Sequence, residues 1–163
     1  MNISVKPSAL YSQARPVDFE GSVEAITARL FPIVRKARSM GAFVCIGMEQ
    51  FRYKDITLEV FRRLRSAPEF RDYRHLGVVL QAYLRQTPSD LDALLQWAHR
   101  ENLPFSIRLV KGAYWDYETV VAKQNGRELP VYAAKAETDG AFEKLAAKIL
   151  AHHRTCLLYT SPS

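Results

Sequence analysis

Hydrophobic and polar positions follow two alternating patterns along this chain. Short apolar runs rich in β-branched residues are separated by longer stretches in which apolar residues recur every three or four positions. The short runs predict four β-strands, at Ile3–Val5, Ala42–Ile46, Gly77–Leu80 and Phe105–Val110. The longer stretches predict a helix after each strand, because their spacing places the apolar side chains on one helical face. This order indicates parallel strands joined by crossover helices.

The predicted helices carry signals at their ends. The apolar stripe of the first helix covers residues 23–37, and Gly41 is its natural C-terminal stop. Pro32 inside this stripe predicts a kink or a division of the helix. The other three starts are predicted at Asp55 as N-cap, at Pro88 as first helical residue, and near Thr138.

Polar side chains occur where each predicted strand ends. They are Lys6, the stretch Met48-Glu49-Gln50, Gln81, and the stretch from Arg108 to Lys111. A (β/α)8 barrel assembles its active site from such strand ends. An open doubly wound sheet uses the same repeating unit, but the G-x-G-x-x-G turn that would favour it is absent. We therefore expect an α/β protein with a partial (β/α)8 TIM-type barrel of about four βα units, roughly half a barrel.

Composition limits the classes of partner and compartment. With 163 residues, 48% of them hydrophobic, the chain can form one domain with a substantial core. The net charge is +6, but the basic residues are interspersed with acids, which predicts a solvated surface and no nucleic-acid partner. The two cysteines lack metal-ligand spacing and indicate a reducing compartment. With no membrane-span-like apolar stretch and no signal peptide, a cytoplasmic location and no metal site are expected.

Arg108 is the most informative position, because it interrupts an otherwise apolar strand. A buried unpaired charge costs several kcal/mol, so an anionic or electron-rich group should meet it. Strand alternation directs Arg108 toward the barrel axis if Ile107 and Leu109 pack on the helices. Gly112 then allows close approach of a ligand, and the aromatic pair Tyr114-Trp115 offers flat faces. These features suit a planar, phosphate-bearing redox cofactor such as a flavin; a structural Arg–Asp pair is the alternative.

Three other polar positions each allow two interpretations. Lys6 can bind a substrate carboxylate or can simply face solvent. Gln81 can contact an amide-like ligand edge or neighbouring backbone. Lys111, in the stretch LVKG, also resembles the Schiff-base lysine of a class I aldolase-like barrel enzyme.

Four motifs carry a resemblance to a known family. In order, they are NISVKPSALYSQ, MEQFRYKDIT, GVVLQAYLRQT and IRLVKGAYWDYE, and PVYAAKAETD continues the match. Together they closely resemble the proline dehydrogenase domain of the bifunctional proline utilization A (PutA) flavoenzymes. The resemblance covers nearly the whole chain, which predicts a partial proline dehydrogenase barrel over residues 1–154 and a non-matching tail over residues 155–163.

The resemblance implies an activity and its partners. Family members hold FAD noncovalently in a distorted (β/α)8 barrel and oxidise L-proline to pyrroline-5-carboxylate by hydride transfer to flavin N5. Their electrons pass to membrane quinone, so the parent enzyme is expected in the cytoplasm, with peripheral association with the inner membrane. The isolated chain is expected to be an inactive fragment; a non-catalytic partial-barrel binding module is the remaining alternative.

The resemblance also implies residue roles. Lys6 and Arg108 correspond to catalytic residues: Lys6 pairs with the proline carboxylate and Arg108 lies beside flavin N5. Tyr114 is expected to contact the substrate as well as the cofactor. The complete expected cofactor-binding set is Gln81, Arg108, Lys111, Gly112, Ala113, Tyr114, Trp115 and Lys135.

The chain departs from the family pattern at three places. Pro7 stands where the family has leucine, and it should hold Lys6 in extended geometry. Gly47 replaces the aspartate of the family's DMEQ motif, an acid that supports the active-site cations. The third departure is the predicted tail after Arg154.

Overall fold

The computed structural model describes residues 1–159 and contains one five-stranded parallel sheet with its strands in sequential order. The strands β1 to β5 are Asn2–Val5, Phe43–Ile46, Leu76–Gln81, Phe105–Val110 and Cys156–Tyr159. The helices α1 to α6 are Pro7–Leu10, Phe19–Ser39, Lys54–Ser66, Thr87–Glu101, Trp115–Gln124 and Lys135–Ala151. Two 3-10 turns, Phe51–Tyr53 and Pro68–Phe70, flank α3. Among these residues no helix has the length and apolar character needed to cross a bilayer.

The helices pack on one face of the sheet. Right-handed crossovers between sequential parallel strands place every connecting helix on the same side. The strand residues that face this side, such as Ile107 and Leu109, are almost fully buried in one core with Val34 of α2, Phe61 of α3 and Leu94 of α4. The opposite face is therefore left for residues that alternate with this core set.

The sheet curves strongly toward that opposite face. Asn2 on one edge strand donates a hydrogen bond through Nδ2 to the Tyr159 hydroxyl on the other edge strand, at 3.1 Å. The Tyr159 ring also lies 5.5 Å from that of Phe43. In a flat sheet, four strand spacings would separate the edge strands by about 19 Å. This curvature and the sequential parallel order confirm the predicted (β/α)8-type architecture.

The structure contains a fifth strand, β5, and a ten-residue helix, α5, that the sequence did not predict. β5 lies in the segment predicted to be a tail and pairs with β4, with Phe105 opposite Cys156; residues 160–163 of that tail lie outside the described residues. Helix α5 begins at Trp115, where the sequence predicted only a cofactor loop. Both segments are short or weakly periodic, so β5 depends on its pairing with β4, and α5 on the contact of Glu118 with the turn after β2.

The two prolines have different consequences. Pro32 does not divide α2, because its ring lies on the exposed side of the helix while Leu30 and Val34 hold the neighbouring turns in the core. Pro7 begins the short helix α1 after β1. Lys6 before it is extended, with φ −91° and ψ 124°, as predicted for a residue preceding proline.

Candidate active site

One row of residues crosses the concave face near the C-terminal ends of the strands. The strand register, continued by the hydrogen bond from the Gly47 amide to the Val5 carbonyl, aligns Lys6, Gly47, Val79, Arg108 and Tyr159. Gln81 lies two residues further along β3, on the same face. The structure thus brings the three predicted residues Lys6, Gln81 and Arg108 to one rim.

Arg108 and Gln81 both have buried polar atoms without partners. In the described part of the chain, the Nε of the half-buried Arg108 and the Oε1 of the buried Gln81 make no hydrogen bond. Within residues 1–159, no carboxylate lies within ion-pair distance of Arg108, so the alternative of a structural Arg–Asp pair is not realised there. Buried polar groups are normally satisfied, so these two atoms favour a polar ligand on the concave face.

Lys6 is exposed at the rim beside Gly47. A Cβ atom at Gly47 would lie 3.6 Å from the Lys6 Cγ and 3.3 Å from the Val5 carbonyl oxygen. A side chain at this position would therefore contact Lys6 directly, and the glycine leaves that side of the lysine without a neighbouring carboxylate.

The loop after Lys6 is held by Glu49. The buried Glu49 carboxylate accepts a hydrogen bond from the Ser8 amide at 2.9 Å and another from the Ser8 hydroxyl at 2.6 Å. Since Ser8 is two residues from Lys6, this contact connects the end of β2 to the backbone that carries the lysine.

A cavity of about 310 Å³ adjoins the end of β4 and contains four of the predicted cofactor residues. Its lining comprises Lys111, Gly112, Trp115 and Lys135, together with Tyr83, Ala133 and Thr138. Ala113 is exposed and Tyr114 is half-buried, and neither belongs to this lining. The predicted residues therefore divide between the concave rim and this neighbouring cavity.

Two local geometries shape the cavity. Gly112 has φ +137°, and a Cβ there would lie 2.5 Å from the Tyr83 ring, so only glycine fits without strain. Trp115 is anchored by a hydrogen bond from its indole nitrogen to the Tyr132 carbonyl at 2.8 Å. The glycine thus permits close packing at the strand end, while the tryptophan is held at the start of α5.

The two lysines of the cavity share one counterion. Asp139 on α6 pairs with Lys111 at 2.6 Å and with Lys135 at 2.7 Å. Hydrogen bonds from Lys111 and Lys135 hold the pKa of Asp139 below its usual range. The hydrogen bond between Lys135 and Asp139 in turn raises the pKa of Lys135. Lys111 is 53% exposed and ion-paired, unlike the desolvated amine that Schiff-base chemistry uses, which disfavours the aldolase alternative.

Comparison with known proteins identifies the family. The family model for proline dehydrogenase matches residues 1–161. The chain belongs to the proline dehydrogenase family. The match continues beyond Arg154 and includes the unpredicted strand β5.

Relatives and solved structures agree with this assignment. The bifunctional protein PutA of Escherichia coli K12 is 35% identical over 150 residues, which is 91% of this chain and 11% of that protein. The proline dehydrogenase of Deinococcus radiodurans is 36% identical over 113 residues, 69% of this chain and 30% of that protein. The crystal structure of PutA from Bdellovibrio bacteriovorus, inactivated by N-propargylglycine, has a TM-score of 0.94 and 42% identity. The match covers 98% of this chain and 17% of the Bdellovibrio bacteriovorus PutA chain.

This proline dehydrogenase family chain also contains a buried carboxylate that the sequence analysis did not single out. Glu118 of α5 accepts a hydrogen bond from the Phe51 amide at 2.7 Å, which joins α5 to the turn after β2. Burial raises the pKa of Glu118, and burial together with the Glu118 charge raises the pKa of Tyr83. No sequence pattern distinguishes this acid from its exposed neighbours, whereas Asp139 is detectable from its i,i+4 spacing to Lys135.

Proposed function

We propose that this chain contributes part of the active site of an FAD-dependent proline dehydrogenase that converts L-proline to pyrroline-5-carboxylate. The observation that carries the proposal is that the buried Nε of Arg108 and Oε1 of Gln81 have no hydrogen-bond partner among residues 1–159, on the same concave rim as Lys6. Membership of the proline dehydrogenase family and the similarity to the Deinococcus radiodurans proline dehydrogenase support the same reaction.

The residues present fit a flavin. The Oε1 atom of Gln81 needs a donor, and the Nε of Arg108 needs an acceptor, and the edge of a flavin ring offers both kinds of group. The neighbouring cavity with Lys111 and Lys135 supplies positive charge for the phosphates, and Gly112 permits close approach to the backbone. When bound, the FAD would supply the redox step by accepting a hydride from C5 of proline.

The chain's own side chains would then orient the substrate and stabilise developing charge. Lys6 would bind the proline carboxylate, which restricts the position of the ring relative to the rim. The Arg108 guanidinium, held on a buried strand, would stabilise negative charge beside it without reorganising. Tyr114, at the strand end, would contact the substrate and cofactor from the same side.

The remaining expectations from the family resemblance belong to this proposal. Electrons would pass to membrane quinone, from a cytoplasmic enzyme that associates peripherally with the inner membrane. We also propose that the isolated chain is inactive, because its edge strands β1 and β5 leave backbone groups without sheet partners among residues 1–159.

The proposal is tested by dye-coupled oxidation of proline with added FAD. The chain should be inactive, and a chimera that continues it through the rest of the Bdellovibrio bacteriovorus PutA barrel should be active. In the chimera, Arg108→Met should lower turnover on the order of 10²-fold and make the flavin potential more negative. Arg100→Met, an exposed arginine on the outer helix α4, is the matched control and should change neither.

Other outcomes would favour the rival functions. Borohydride trapping of a carbonyl substrate on Lys111 would support the Schiff-base enzyme. A chimera that folds but binds no FAD would support a binding module. Unchanged turnover and potential in Arg108→Met would return Arg108 to a structural role.

A further inference from the structure

A second cavity of about 500 Å³ lies at the N-terminal ends of the strands, whereas the candidate active site lies at their C-terminal ends. It is formed by the segments that precede β3, β4 and β5, together with the C-terminal ends of α3 and α4. Its ionisable lining residues are Arg65, Arg71, Asp72, Arg74, His99 and Arg154. None of these has a role in the proposed oxidation of proline.

The floor of this cavity is a buried guanidinium without a carboxylate partner. Arg65 is fully buried and donates to the carbonyls of Pro104, at 2.9 and 3.1 Å, Phe70, at 2.8 Å, and Arg71, at 3.0 Å. Burial lowers the pKa of Arg65, and the charges of Arg71 and Arg74 lower it further. The carbonyl dipoles thus position the arginine, but among the described residues no acid side chain contacts it directly.

The walls add positive charge that the protein does not neutralise. Arg74 and Arg154 are exposed residues of the lining, and neither makes a hydrogen bond or an ion pair within residues 1–159. Asp72 is the acid in the lining, and its carboxylate is already paired with Arg38 at 2.7 Å. Arg71 donates to the Glu101 carbonyl at 3.1 Å, and the Glu101 carboxylate is 3.9 Å away.

Helix dipoles account for only part of this arrangement. Cations are favoured at helix C-termini, and Arg65 and His99 lie in the last turns of α3 and α4. Arg74 and Arg154 instead lie outside the helices, on the segments that lead into β3 and β5. Arg74 and Arg154 line the same cavity as the buried Arg65, and grouped guanidinium groups favour the binding of oxyanions.

We propose that this cavity binds a small soluble oxyanion of the phosphate or diphosphate class, with Arg74 and Arg154 as its principal ligands. Guanidinium groups donate pairs of hydrogen bonds that match the oxygens of a phosphate group. The cavity has room for more than one phosphate group, so a diphosphate should bind more tightly than orthophosphate. Because the cavity lies at the N-terminal ends of the strands, away from the rim that carries Arg108, this inference does not depend on the proposed function.

Calorimetric titration of the chain with magnesium-free sodium pyrophosphate tests the inference. Ionic strength is held constant with sodium chloride, and orthophosphate is titrated in parallel. We expect saturable binding of pyrophosphate, weakened about tenfold by each of Arg74→Gln and Arg154→Gln and further by the double variant. Arg100→Gln removes the same charge from an exposed position of α4 outside the lining and should change the affinity less than about twofold.

Three results would overturn the inference. They are an absence of binding above the chloride background, equal affinity of the chain and the double variant, and an equal loss in Arg100→Gln, which would indicate net charge alone. Circular dichroism in chloride checks that each variant is folded. The single variants preserve the comparison if the double variant is not.

Discussion

Lys54 and Asp90 form a buried ion pair between the first turns of α3 and α4, with 2.9 Å between Nζ and Oδ1. The Lys54 side chain is 4% exposed and also contacts the exposed Asp55 at 2.6 Å. Burial raises the pKa of Asp90 even though Lys54 lowers it; the Asp90 side chain is 15% exposed, and its second oxygen has no hydrogen-bond partner among residues 1–159. Because both helices begin near the C-terminal ends of β2 and β3, the pair holds them beneath the candidate active site.

Lys54→Met should destabilise the chain by about 3–5 kcal/mol, since it leaves the Asp90 carboxylate buried without its partner. The raised pKa means that folded Asp90 binds a proton more readily than unfolded Asp90 does. The loss should therefore be smaller at acidic pH and larger at neutral pH. Urea unfolding at the two pH values measures it, and Lys54→Met combined with Asp90→Leu should recover most of the stability. Equal losses at both pH values would contradict this account.

Glu49→Ala should lower the free energy of unfolding by about 2–3 kcal/mol, because the amide and hydroxyl of Ser8 lose a charged acceptor. Glu24 on α2 is exposed and makes no side-chain hydrogen bond or ion pair among residues 1–159, so Glu24→Ala is the control and should change stability by less than about 0.5 kcal/mol. Denaturant titration compares the two variants. A similar small effect of both would mean that Glu49 does not anchor the loop after Lys6.

Two glycine-to-alanine changes should have opposite effects. Gly112→Ala combines a positive φ with a Cβ 2.5 Å from the Tyr83 ring, and should cost about 2–4 kcal/mol. Gly140 lies within α6, and a Cβ at this position would have no atom within 4 Å. Gly140→Ala should therefore raise the free energy of unfolding by about 0.5–1 kcal/mol through helix propensity. Thermal unfolding measures both, and a neutral Gly112→Ala would show that the strand end is loosely packed.

Gly47→Asp should create an ion pair with Lys6, because the new Cβ would lie 3.6 Å from the Lys6 Cγ. Gly47→Asn has nearly the same shape without the charge, so the difference between the two variants isolates the pair. Gly47→Asp should be the more stable at pH 7 by up to about 1 kcal/mol. Lys6 would depress the pKa of the new acid, so this advantage should disappear as the pH falls through that pKa. A difference that does not change with pH would exclude the ion pair.

The two cysteine thiols should react slowly with alkylating reagents, because both are buried. Burial raises the pKa of Cys45 to about 11, although the Arg108 charge opposes the shift, and raises that of Cys156 to about 12. At pH 8 the thiolate fraction is then on the order of 10² or more below that of a free cysteine. Iodoacetamide labelling followed by mass spectrometry should show this protection, and urea should abolish it. Rapid labelling of the folded chain would contradict the burial of both thiols.

Local pattern was sufficient to predict four of the strands, the long helices and the inward direction of Arg108. Alternation within a strand and the 3.6-residue helical period depend on neighbouring residues only, so the sequence contains that information directly. The motifs around Lys6, Gln81 and Arg108 also carried the family resemblance, which the family match over residues 1–161 confirmed.

Only the tertiary structure decided which of these elements meet. The strand β5 is four residues long and forms because β4 supplies its hydrogen-bond partners. Glu49 contacts Ser8, which is 41 positions away in the sequence. Arg74 and Arg154 are 80 positions apart and line the same cavity. The pairing of β1 with β2 brings Ser8 to Glu49, and the curvature of the whole sheet brings Asn2 to Tyr159 across 157 positions of sequence. A periodic pattern specifies which face a residue occupies, but the partner on that face depends on how the sheet closes.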